Sequence, residues 1–314
     1  MTTGRRESGA ALRQWRVLAP VVVAALAGVV LAWILRRSGD FAWVAFARVL
    51  ADCAGAVVLG LAALPRLNDR LTVAWRPLAA LAGVWFAAEF TVLVCEAAEI
   101  VGVAVTQLDA SDFITFLGRL SGGQIGIAIL FCTGAIACYA ALAFRRPDTA
   151  SADLVLVFAA VALSLRPITG HMSQQMFGSV LAAIHALAAA CWLGLLLAMV
   201  LILRTRGEWA ATLPRYSAIA APLVGVVALT GLVNGVVRLG GITPLWTTGY
   251  GRILLAKLAI LCVLVALGWW WRRTWVRKAA DHRVTAETSL RNAAAEVLMM
   301  ALAFGLAATL AVTA

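Results

Sequence analysis

FGSVLAAIHALAAACWLGLLLAMVLIL, residues Phe177–Leu203, contains no Lys, Arg, Asp or Glu. Wound as a helix it is about 40 Å long, more than the hydrocarbon core of a bilayer. A run of this kind reads as membrane-spanning, and it is not isolated. Similar runs lie at Val17–Leu35, Phe41–Leu64, Leu78–Val105, Gly122–Phe144, Leu154–Thr169, Ile219–Leu239, Ile253–Trp271 and Ala293–Val312. The residues AVILMFWYC make up 63% of the chain and DEKR only 13%, a balance that no water-facing surface accommodates. The expected fold is all-α: a polytopic transmembrane bundle of about nine helices in a single domain, 1–314, with the lipid bilayer as its main solvent.

A formal charge of +11 would suggest nucleic acid in a soluble protein, but here it follows topology. With the N-terminus in the cytoplasm, alternate loops place eighteen Lys and Arg inside against five outside (Arg36, Arg37, Arg119, Arg166 and Arg238). That is the positive-inside pattern, so no nucleic-acid partner is expected, and an odd number of spans puts Ala314 outside. The basic start MTTGRRESGAALRQWR resembles a signal n-region, yet a long apolar run without a cleavage site follows, so it is expected to be a retained first helix. Cys53, Cys95, Cys132, Cys138, Cys191 and Cys262 all fall in apolar runs without a CxxC pair, which fits packing residues rather than disulfides.

The fifth span is irregular. Its apolar stretch Leu154–Leu165 is only about 18 Å long as a helix, and Arg166-Pro167 and Gly170 follow. The loop Ile168–Gln175 is therefore expected to dip below the outer membrane surface and to carry His171 into a protein-lined cavity.

Ionisable groups inside spans are expensive, so each is a candidate for function, weighed against a structural ion pair. Counted from the predicted outer ends, His185 lies roughly 12 Å deep, Lys257 roughly 9 Å, Glu96 roughly 13 Å and Asp52 roughly 16 Å. Glu89, Glu96 and Glu99 share one helical face and need partners. Arg48 and Asp52, four residues apart, suit each other, and Lys257 could neutralise one glutamate. The choice between an ion-pair network that orients helices and a transport pathway stays open at this point. His185 shares a face with Trp192, and His171, Met172 and Met176 precede it; imidazole and thioether together suit copper, the thioether favouring Cu(I). Packing alone would also explain the methionines. Thr230, Asn234 and Arg238 form a polar stripe, either an access path or interhelical glue. Glu296 is placed about a turn from the inner interface, with an arginine of the cytoplasmic loop as its expected partner. No phosphate-binding loop, HExxH zinc helix or CxxCH is present, which argues against an ATP-driven pump and against an enzyme.

Five ordered segments carry a resemblance to a known family: Gly170-His171; IHALAAACWLGLLLA, Ile184–Ala198; Leu229-Thr230-Gly231-Leu232; LWTTGYGRILLAKLAIL, Leu245–Leu261; and SLRNAAAEVLMMAL, Ser289–Leu302. Together they resemble the CopD/PcoD copper-resistance membrane proteins, which include YcnJ-like copper uptake domains, with the likeness strongest in 170–314. The chain departs from the pattern at Leu195, where the family often has a second glycine, which bears on close helix packing there. The resemblance implies a copper ion, Cu(I) or Cu(II), handled at a bacterial plasma or inner membrane and moved from the outer side toward the cytoplasm. The matching positions are His171, His185, Trp192, Tyr250, Lys257 and Glu296. The metal ligands expected are His171, His185, Met172 and Met176, with Asp52, Glu89, Glu96, Glu99, Trp192, Asn234, Tyr250 and Lys257 along the pathway or behind the ligands. Two other readings are carried: an assembly factor that receives copper from an extracytoplasmic chaperone or passes it to a cytochrome oxidase assembly protein, and a b-type haem carrier with paired histidines.

Overall fold

The computed structural model describes residues 16–37, 43–146, 150–168 and 178–313. They form helices α1 (Leu18–Arg36), α2 (Val44–Leu67), α3 (Trp75–Val101), α4 (Ala110–Arg119), α5 (Ser121–Arg145), α6 (Ala152–Ile168), α7 (Gly178–Ile202), α8 (Arg206–Leu239), α9 (Gly249–Trp271) and α10 (Ala286–Thr313). Eight of these are long and apolar enough to cross a membrane. The ninth expected span, α6, has 17 residues. At about 26 Å it is slightly short of a typical bilayer core, and it packs between α5 and α7 like the others. Large apolar side chains such as Phe131, Leu229 and Leu232 remain exposed on the outside of the bundle, as suits a lipid-facing surface.

The centre of the bundle is the pair α2 and α7, the two most buried spans. Their contact depends on small residues. A Cβ added at Gly60 would lie 2.0 Å from the Gly194 carbonyl oxygen, and one added at Gly194 would lie 1.9 Å from the Ala56 oxygen. Ala56 and Gly60, one turn apart, thus open a notch that lets the α7 backbone touch that of α2. Close packing survives the leucine at 195 because only its backbone nitrogen approaches Gly60, while its side chain is buried elsewhere and Gly194 leaves the room. A second small-residue crossing joins α1 to α10, where a Cβ on Gly28 would meet the Leu302 oxygen at 2.2 Å.

The ends of the helices agree with alternating orientation. Arg215 of α8 donates to the Leu67 carbonyl at the end of α2 (2.8 Å), and Arg66 pairs with Asp153 at the start of α6. At the opposite side Arg252 of α9 donates to the carbonyls of Leu35 (2.6 Å) and Arg36 (2.9 Å), satisfying the exposed C-terminal end of α1.

Three elements differ from expectation. Helix α8 starts 13 residues before Ile219, because Thr205 and Glu208 form a capping box and Pro214 and Pro222 are carried inside the helix. Helix α4 lies where a loop was expected; Asp109 caps it, and Phe116 buries against Leu93 and Ala97 of α3. Ten residues are too few for a span, so hydropathy passes over a helix of this kind. Helix α10 begins at Ala286, seven residues before the predicted span, which moves Glu296 deeper along its helix.

Candidate functional site

The outer half of α7 carries His185, half-buried against α8. Its Nδ1 lies 2.9 Å from Thr230 Oγ1, and Thr230 donates its one hydroxyl proton to the Val226 carbonyl at 2.6 Å. The oxygen can then only accept from the ring, so Nδ1 carries the imidazole proton and Nε2 keeps its lone pair. This is the arrangement by which a hydrogen bond on one ring nitrogen orients the other for a metal. Gly231 makes the approach possible: a Cβ there would sit 3.3 Å from His185 Cε1.

One turn along α8 from Thr230, Asn234 has a buried Oδ1 with no hydrogen-bond partner. A further turn on, Arg238 stacks over the Tyr250 ring of α9 at 5.6 Å. Lys257, two turns further along α9, lies within electrostatic reach of His185. The polar stripe Thr230, Asn234 and Arg238 thus faces both α7 and α9. The expectation that Lys257 neutralises a glutamate fails: no carboxylate among the described residues comes within ion-pairing distance of it.

The glutamates of α3 are held by Arg166 instead. This residue, assigned from sequence to the outer loop, belongs to the last turn of α6 and turns its guanidinium inward. It pairs closely with Glu89 and donates to Glu96 at 2.7 Å. Trp85 Nε1 donates to the other Glu89 oxygen at 3.1 Å. Arg48 of α2 reaches Glu96 at 3.6 Å and Asp52 at 3.7 Å, as the spacing of Arg48 and Asp52 suggested. Two guanidiniums and three carboxylates thereby tie α2, α3 and α6 together. Glu99, expected to share their face, is exposed at the end of α3 and forms no ion pair among the described residues.

Deeper along α7, Trp192, Tyr216 of α8 and Glu296 of α10 form a second polar cluster. Tyr216 donates to the Trp192 carbonyl at 3.4 Å. The Trp192 indole N–H, buried without a partner at full hydrogen-bond geometry, faces the Glu296 carboxylate. Glu296 is 8% exposed, and no arginine among the described residues pairs with it, contrary to expectation. Its position ten residues into α10 places it about 15 Å from the inner end of the helix, because that helix extends well below the predicted span. This station was legible as an acidic residue in a span; its partners on α7 and α8 were not.

His171, Met172 and Met176 lie outside the described residues. Among the described residues, no group of three or more His, Cys, Asp or Glu side chains is arranged to hold a metal ion. Of the four expected ligands, the structure therefore places His185 alone.

Comparison with known proteins bears on the same helices. Residues 210–310, from α8 to α10, match the family described as Copper resistance protein D. The chain is also similar to the Copper transport protein CutJ of Bacillus subtilis (strain 168), at 29% identity over 168 residues. That alignment covers 48% of this chain and 30% of the relative, so the chain spans less than a third of that protein's length. No solved structure matches. With spans of this number, this is a multi-pass membrane protein, and its residues 210–310, the stretch that holds Thr230, Tyr250, Lys257 and Glu296, are similar to the Copper resistance protein D family.

Proposed function

We propose that this protein moves copper across the membrane, from the outer side toward the cytoplasm. The hydrogen bond from His185 to Thr230 supports the reading best, since it leaves Nε2 as a free donor to a copper ion in the outer half of the bundle. Imidazole suits copper of either charge, and His171, Met172 and Met176, close in sequence to the start of α7, are the donors proposed to complete the site. The orphan Asn234 oxygen lies on the outer approach to His185. Inward, Trp192 lies two turns below His185 on the same helical face, and Glu296 beside it supplies the negative charge that a cation at that depth needs. The CopD match and the copper transport protein among the relatives agree with the metal. Transport needs no catalytic group, and the protein is read as a non-enzyme.

The test has two parts. Purified protein is titrated with copper, and a His171→Ala, His185→Ala double variant must lose bound copper; unchanged stoichiometry removes the site. Liposomes containing the protein must then take up copper above empty vesicles. Binding without uptake would instead identify a protein that holds copper for an oxidase assembly partner. An absorbance spectrum with a Soret band would identify a haem carrier.

A further inference from the structure

The inner ends of α3 and α5 lie side by side, because the two helices run in opposite directions. Between them is an open groove of about 580 Å³, lined by Arg76, Ala79, Cys138, Ala141, Leu142, Phe144 and Arg145. Its two charged residues are both arginines, and no carboxylate lines it. Arg76 and Arg145 are exposed and have no acidic partner among the described residues. Nearby Arg66, by contrast, is already paired with Asp153. The remaining walls are apolar: Leu142 is 66% and Phe144 54% exposed, directed at whatever surrounds the bundle.

Both arginines sit at the inner ends of membrane-spanning helices, Arg76 in the first turn of α3 and Arg145 as the last residue of α5. Trp75 packs edge-on against Tyr139 with ring centroids 5.9 Å apart, and the Tyr139 hydroxyl exchanges hydrogen bonds with the backbone of Ser151 at 3.0 Å. These contacts tie the inner ends of α3 and α5 to the start of α6, and the ends of spans are where headgroups lie. The two guanidiniums therefore lie where phosphates lie, with the apolar walls extending toward the acyl region.

We propose that this groove binds an anionic glycerophospholipid of the inner leaflet, its phosphate between Arg76 and Arg145 and one acyl chain along Leu142 and Phe144. A soluble anion would use the two arginines but has no use for the apolar walls. A zwitterionic lipid would use the walls but gains little from two arginines that have no acidic partner among the described residues. An anionic lipid satisfies both, as in basic pockets between transmembrane helices that hold such headgroups. The site is independent of copper.

The experiment measures lipid retained by the purified full chain in detergent, by native mass spectrometry, with phosphatidylglycerol or phosphatidylcholine added. The expected result is preferential retention of phosphatidylglycerol, weakened about thirtyfold in R76Q/R145Q, while R204Q/R206Q, which removes two inner arginines outside the groove, retains it. A141W, which fills the groove and keeps both charges, is also expected to lose the lipid, and this variant decides the matter if the arginine variant fails to fold. Equal retention of both lipids, or unchanged retention in either groove variant, overturns the proposal. Displacement of the lipid by millimolar inorganic phosphate as effectively as by phosphatidylglycerol would show an anion site instead and overturn it as well.

Discussion

A histidine in a membrane span has two nitrogens and few partners, so what matters is which nitrogen is occupied. Thr230 decides this for His185 by spending its own proton on Val226. Replacing it with valine removes the hydroxyl acceptor and leaves the ring only the backbone of Val227 to hold it. Thr230→Val is expected to weaken copper binding about tenfold with the fold retained, and Thr230→Ser to restore it, both read by copper titration of purified protein. Affinity unchanged in the valine variant would show that the ring is oriented by something else. Glu296 differs because its carboxylate faces the Trp192 indole, with the Tyr216 phenol within electrostatic reach, rather than a cation. Glu296→Gln keeps the shape and the hydrogen-bonding capacity but loses the charge. It is expected to leave the copper bound per protein unchanged while slowing uptake into liposomes, and equal uptake rates would exclude Glu296 from the path.

Between helices, two kinds of contact fix the arrangement. Arg166 ties α6 to α3 through Glu89 and Glu96, and Arg48 extends the tie to α2. Removing one member of a buried charge set strands the others, so Arg166→Ala is expected to destabilise the protein by about 3–5 kcal/mol. Adding Glu89→Gln and Glu96→Gln should recover most of that loss in heat- or detergent-induced unfolding. Absence of recovery would mean that Arg166 acts by packing. The α2–α7 crossing depends on shape alone. With the backbone oxygen of Gly194 2.0 Å from where a Cβ would stand, Gly60→Ala cannot be absorbed by a side-chain rotation. A loss of about 3 kcal/mol or more is expected by the same assay, whereas Gly83→Ala, with open space around it, should be neutral.

For the molecule as a whole, the short helix α6 determines the count. If it crosses, Ser151 is inside and Gly241 outside, and the contacts of Arg66 with Asp153 and of Arg252 with Leu35 and Arg36 lie on opposite faces. Single cysteines placed in a chain whose six native cysteines are replaced test this directly. Ser151→Cys is expected to react with an impermeant thiol reagent only from the inner side, and Gly241→Cys only from the outer side. Labelling of both from one side would remove α6 from the spans.

The run Phe177–Leu203, its neighbours and the distribution of arginines determined on their own that the chain is a helical membrane bundle with a basic inner face, because hydropathy and loop charge are local quantities. Spacing along one helix also revealed the Arg48–Asp52 pair and the stripe Thr230, Asn234 and Arg238. What one-dimensional spacing cannot show is which face meets which helix. Arg166 was visible as a charge near Pro167, yet only the packing of α6 and α3 against the same helix, α2, brought it to Glu89 and Glu96 in place of Lys257. Glu296 was visible as an acid, yet its indole and phenol neighbours lie about 100 and 80 residues away along the chain. Tertiary contact supplied those partners, and with them the occupied nitrogen of His185, since a hydrogen bond between residues 45 apart exists only once α7 and α8 are side by side.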